Sequence, residues 1–276
     1  MMTVAWLWSQ FFFRKGGIMA SAPDFGTSGQ GAGPAQGGSQ SRKRLACGPW
    51  LGLFATVFGG VLAWLLLEWI HPLFTAPEKY AVLPTPVPPE LTAELEQLTW
   101  RLHLANAAVV LAIVGAFVGG FLGLGEGVAQ RSLRSAALGL GGCAAIAAAF
   151  GASAGVIGHF IFQWQYYAGK ESLIGWTIAM QAAMLATLGL GAGLAVGILL
   201  GRQRLLVASC AVAGVLAGVL AGLLFPYLAS RYLPVAASEI VIPEAGLARL
   251  LWIALAAGLL GLIVPGMTFS RRGSAA

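Results

Sequence analysis

All three histidines of this 276-residue chain stand at the edge of a long apolar run, each beside another polar group. Glu68 and His71 close the first run three residues apart, which places them on one helix face. His103 and Asn106 open the second run with the same spacing, His159 and Gln163 close the third, and Gln181 opens the fourth. A neutral imidazole carries one N–H and one lone pair, and it gains or loses its proton near physiological pH. Imidazoles beside a carboxylate therefore suit either a divalent transition metal or a proton relay. His71, His103, His159 and Glu68 are the candidate metal ligands. The plainer reading is hydration at a membrane interface, with Glu68 snorkelling outward or paired to a neighbour. A metal needs at least three ligands to converge, and spacing along the chain does not decide that.

Other residues with chemical potential are fewer. Glu126 lies between Gly125 and Gly127 and is expected to pair with Arg131 or Arg134. Gly151, Ser153 and Gly155 satisfy the G-x-S-x-G pattern of serine hydrolases, but that pattern acquires its meaning from a strand-to-helix turn. Here it sits inside an apolar helix, so Ser153 is expected to be a small packing residue. No phosphate-binding loop, dinucleotide fingerprint, paired-cysteine site or nucleic-acid element occurs, and neither an enzyme nor a cofactor is implied. Cys47, Cys143 and Cys210 have no paired spacing and read as free, buried thiols.

These residues must be held by helices in lipid. The chain is 58% hydrophobic and 9% charged, with a mean hydropathy of +0.81. A soluble domain carries about 25% charged residues, so water cannot be its solvent. Six apolar runs, at about 49–70, 104–125, 136–158, 177–200, 205–225 and 247–266, each approach the ~20 residues that cross a hydrocarbon core. The predicted fold is an all-α, polytopic membrane bundle.

Glycine recurs every fourth residue within these runs: Gly115, Gly119, Gly123 and Gly127; Gly189, Gly193, Gly197 and Gly201; Gly214, Gly218 and Gly222. On a helix each series draws a stripe without side chains, which lets backbones approach closely in lipid. The spans are expected to form three hairpins, first with second, third with fourth and fifth with sixth, and a threefold repeat of roughly 70 to 90 residues is compatible with that grouping.

The sixteen Lys and Arg fall eleven to five across this topology. The excess lies on the side of the tail, the short links with Arg131, Arg134, Arg202 and Arg204, and the final Arg271 and Arg272. The positive-inside rule then puts both termini in the cytoplasm and the protein in the cell membrane. The net charge of +6 and pI near 9.6 are accounted for by helix-end anchors, with no nucleic-acid partner implied.

Residues 1–45 read as a disordered tail, their apolar start being either upstream sequence before a start at Met19 or an interfacial anchor. The loop 71–103 is proline-rich at first. Leu91, Leu95, Leu98 and Leu102 then recur at helical spacing opposite Glu90, Glu94, Glu96 and Arg101, predicting an amphipathic surface helix that runs into span two. Aromatics from Phe160 to Trp176 mark a membrane interface. Two functions fit: a small permease-like transporter with the His/Glu cluster at its outer mouth, or a non-catalytic subunit that packs against a second copy or other membrane proteins. Both have the lipid bilayer as a partner.

Overall fold

A computed structural model describes residues 38–77, 80, 88–167, 174–201, 204–233 and 240–274, without the side chains of 38–49, 89–90, 174, 200–201 and 268–274. The expectations for the tail up to residue 37, for the start at Met19, for Cys47 as a buried thiol and for several loop prolines lie outside what is described. Among the described residues six α-helices form: α1 Gly38–Ile70, α2 Pro89–Ala129, α3 Leu133–Tyr167, α4 Ile174–Val196, α5 Arg204–Tyr232 and α6 Gly246–Ser274. A π-helical turn, Gly197–Gly201, continues α4. Each of the six contains a stretch long and apolar enough to cross a membrane.

The helices run longer than hydropathy alone predicts. The expected surface helix and span two are one continuous helix, Pro89–Ala129. Strong helix formers fill 91–103 without a glycine or proline to break the ladder. Leu91, Leu95, Leu98 and Leu102 are half-buried there, while Glu94 and Glu96 are exposed. Pro226, expected to open a loop, lies buried inside α5, and Pro265 lies inside α6. Proline removes one backbone hydrogen bond, but helices in lipid tolerate it when neighbours enclose the gap.

The short link between α2 and α3 has a local cause. Arg131 adopts a left-handed conformation with φ 56°, which turns the chain. The hydroxyl oxygen of Ser132 then accepts the Ser135 N–H at 3.2 Å and caps the start of α3.

The most extensive packing is between α2 and α3 and between α4 and α5, the pairs joined by short basic links. The groupings α3 with α4 and α5 with α6, expected from the sequence as hairpins, pack less extensively. The two close pairs share a register. Ala107 and Leu111 of α2 face Gly155 and Gly151 of α3, as Ala182 and Leu185 of α4 face Gly222 and Gly218 of α5. Further along, Gly115 faces Ala147 and Gly189 faces Gly214. A methyl group on Gly115 would run into the Ala147 carbonyl oxygen, and one on Gly193 into that of Cys210.

Helix α1 lies against two neighbours, Gly59 against Phe117 and Phe121 of α2, and Gly60 against Ile253 and Ala257 of α6. The core is apolar, with Val110, Leu111 and Val114 of α2, Met184 and Leu188 of α4, and Trp252 and Ile253 of α6 fully buried. Cys143 and Cys210 are buried thiols, neither joined in a disulfide.

Candidate functional site

At one end of this unit, a cavity of about 700 Å³ opens among the end of α1, the segment 71–76, α2 from Thr99 to Ala107, the last turns of α3, the segment 240–244 and the start of α6. Glu68, His71, His103 and His159 all line it, so the fold gathers the four residues singled out by the sequence. Among the described residues, however, no three His, Cys, Asp or Glu side chains are grouped closely enough to hold a metal ion.

Glu68 is fixed by the start of α6. A Cβ on Gly246 would stand 2.9 Å from each carboxylate oxygen, so glycine is what leaves room for the carboxylate there. A negative charge at a helix N-terminus is favoured by the exposed N–H groups and the helix dipole. The Trp64 indole, one turn before Glu68, donates to the Gly246 carbonyl at 3.0 Å. One turn into α6, Arg249 Nη1 donates to Glu68 Oε1 at 3.1 Å. Its Nε donates to the Pro243 carbonyl at 3.1 Å and its Nη2 to the Glu244 carbonyl at 2.9 Å. Arg249 is 4% exposed, and acceptors of this chain occupy all three of its nitrogens.

Two residues with suspected chemistry prove to be braces. Asn106 accepts the Phe74 N–H at 3.0 Å and donates to the Phe74 carbonyl at 2.9 Å, tying the segment 71–77 to α2. Gln181 is fully buried, accepts the Trp252 indole N–H at 3.0 Å and donates to the Ile240 carbonyl at 3.2 Å. It thus pins one wall of the cavity to α4 and α6.

The histidines differ from these braces. His159 is 1% exposed, and its Nε2 has no hydrogen-bond partner. Its ring meets that of Trp100 edge-on, with centroids 5.5 Å apart at 67°. His71 also keeps a buried nitrogen, Nδ1, without a partner. Burial holds its pKa below the ordinary 6.5, with the Arg249 charge acting the same way and Glu68 and Glu244 opposing. His103 is exposed on α2.

The sequence reading passed over Arg249, counting it only as one of the basic residues at the loop ends. Its position inside the sixth apolar run was the available signal, because a charge at membrane depth needs a partner. The remaining candidates sit elsewhere. Ser153 is exposed on α3 and donates to the Ala149 carbonyl at 3.0 Å, one turn back on its own helix. Glu126 is buried near the end of α2. Gln163 is half-buried on α3 and lies outside the cavity lining.

Six helices of spanning length among the described residues are the build of a multi-pass membrane protein. Comparison with protein-family models, curated proteins and solved structures finds no match.

Proposed function

We propose that this is a non-catalytic, permease-like protein of the cell membrane, and that the cavity is the entry and binding site for a small polar solute. One observation carries the reading: the fold gathers Glu68, His71, His103 and His159, from the end of α1, from α2 and from α3, on the lining of one cavity. Ionisable groups at membrane depth are costly and gather where a solute or ion is handled. The volume of about 700 Å³ falls in the range of small-molecule sites. The excess of basic residues on the opposite side supports an outward-facing cavity and cytoplasmic termini. In this reading the glycine-lined α2–α3 and α4–α5 pairs are stiff units that shift as bodies against α1 and α6, and close backbone packing supplies their cohesion. A transition-metal solute belongs to the same proposal, but His71, His103, His159 and Glu68 would have to close on it.

The test is uptake. Proteoliposomes holding the full chain are incubated with a radiolabelled extract of small cellular solutes, then filtered. Label retained above empty vesicles, and reduced in Glu244→Gln and His159→Phe variants, supports the proposal. No retention by vesicles holding folded protein rejects it.

The second reading, a subunit or scaffold through which nothing passes, is supported by what lies beneath the cavity. There Val110 and Val114 of α2 and Met184 and Leu188 of α4, all fully buried, are apolar. The exposed row Phe54, Phe58, Leu65 and Trp69 on α1 would then meet another copy or a different membrane subunit rather than lipid. A stoichiometric partner that copurifies with the chain, together with no uptake, favours it.

A further inference from the structure

The α2–α3 and α4–α5 pairs match contact for contact along their seams. A methyl group added at Gly151 would meet the Leu111 carbonyl and the Cα of Ala112; one added at Gly218 would meet the Leu185 carbonyl and the Cα of Ala186. Beneath Gly155 lies the peptide between Ala107 and Ala108, and beneath Gly222 the peptide between Gln181 and Ala182. Gly119 faces the Cys143 carbonyl as Gly193 faces that of Cys210. One shift of 74 residues carries Leu111, Gly115 and Gly119 of α2 onto Leu185, Gly189 and Gly193 of α4. One shift of 67 residues carries Cys143, Gly151 and Gly155 of α3 onto Cys210, Gly218 and Gly222 of α5. Each hairpin turns at a short link with two arginines, Arg131 and Arg134 in the first, Arg202 and Arg204 in the second. Close approach in lipid calls for small residues. It does not call for leucine at both 111 and 185, where the seam uses only the backbone.

We infer that α2–α3 and α4–α5 are two copies of one helical hairpin, which diverge where the cavity opens. The repeat is twofold and closed on the short basic links, whereas the sequence suggested a threefold unit closed on the outer loops. The same two shifts set His103 against Thr177, Asn106 against Met180 and His159 against Pro226. Thr177, Met180 and Pro226 are all buried, so the second copy is packed shut where the first lines a cavity. His103, Asn106 and His159 are therefore departures from the shared plan, and they mark what the first copy does and the second does not. Many transporter folds are built from internal repeats. The equivalence of the copies stands without the solute reading; only the meaning of their divergence rests on it.

A tryptophan scan of the full chain tests the equivalence, read as thermal midpoints in detergent. Residues 111–123 and 143–155 are replaced one at a time, and so are 185–197 and 210–222. Gly115→Trp, Gly119→Trp and Gly151→Trp should each lower the midpoint by roughly 6 °C or more, and so should Gly189→Trp, Gly193→Trp and Gly218→Trp. Ser153→Trp and its counterpart Leu220→Trp, both at exposed positions, should each stay within about 2 °C of the unmodified protein. A variant that yields no folded protein counts as a full loss, so the profiles are read either way. The profiles of the two hairpins should coincide best at shifts of 74 and 67 residues. Best alignment at any other shift, or profiles that rise and fall independently, would overturn the inference. Matching profiles in a protein that takes up nothing would reject the permease reading alone. Uptake by a protein with unmatched profiles would reject this inference alone.

Discussion

The seam between paired helices and the cavity at the end of the bundle obey opposite rules. Along α2–α3 and α4–α5, glycines bring backbone against backbone, and at Gly115 or Gly193 not even a methyl group fits. Around the cavity, polar side chains fasten the wall: Arg249 donates to three acceptors, Asn106 holds the Phe74 backbone, and Gln181 holds the Ile240 carbonyl. The seam closes up where side chains are missing, and the cavity takes its shape where they are fastened. A protein in lipid can do both because apolar burial does not itself drive helices together there, which leaves packing and hydrogen bonds to decide contact.

The contrast predicts a graded set of outcomes. The sharpest break is Gly193→Leu, which drives a branched side chain into the Cys210 backbone. A loss of roughly 3 kcal/mol or more is expected, read as a lower thermal midpoint in detergent. Gly141, exposed on the same bundle with nothing within 4 Å of an added Cβ, should accept alanine with no loss or a gain of up to about 1 kcal/mol. If Gly193→Leu melts like the unmodified protein, the seam does not hold the bundle.

Next comes Arg249→Met, which leaves Glu68 without its cation and the Pro243 and Glu244 carbonyls without their donor. Because Glu68 is partly exposed, about 2–3 kcal/mol is expected rather than the full cost of an isolated buried charge. Adding Glu68→Gln should recover part of it in a double-mutant cycle. Asn106→Ala removes two hydrogen bonds at the rim, with about 1–2 kcal/mol of local stability and faster exchange of the Phe74 amide as the readout.

The smallest effect is with pH. His71 is faced by Glu68 on its own side, Arg249 and Glu244 from the start of α6 and the segment before it, and shares the cavity with His103 and His159. Its native pKa is depressed, so its neutral form contributes stability above pH 6.5, and that contribution is lost as pH falls through the unfolded value toward the native one. Melting between pH 8 and 5 should record this loss, and His71→Gln should flatten it.

Much of the fold was legible because hydropathy over twenty residues is a strong signal, and the six spans appear where the apolar runs are. Helix ends were less so. Pro226 and the run from Leu91 to Leu102 look like a loop start and a separate helix in isolation, yet packing carries α5 through the first and continuous helix formers carry α2 through the second. The partner of each stripe was not legible. Gly115 marks a face on α2 but does not encode whether α1 or α3 fills it, and the outer loops suggested a different grouping from the one that packs most closely. At the cavity, the histidines and Glu68 were readable as the costly residues at membrane depth. Arg249 was hidden among the basic residues at the loop ends, and the roles of Asn106 and Gln181 as braces depend on contacts with Phe74 and Ile240 that spacing cannot reveal.

The amide of Asn106 grips both the donor and the acceptor of a single residue, Phe74. Those two bonds share one side-chain plane, so they cannot be released one at a time without misaligning the other. The segment 71–77 should therefore part from α2 in a single step, with the Phe74 N–H and carbonyl set free together rather than in turn.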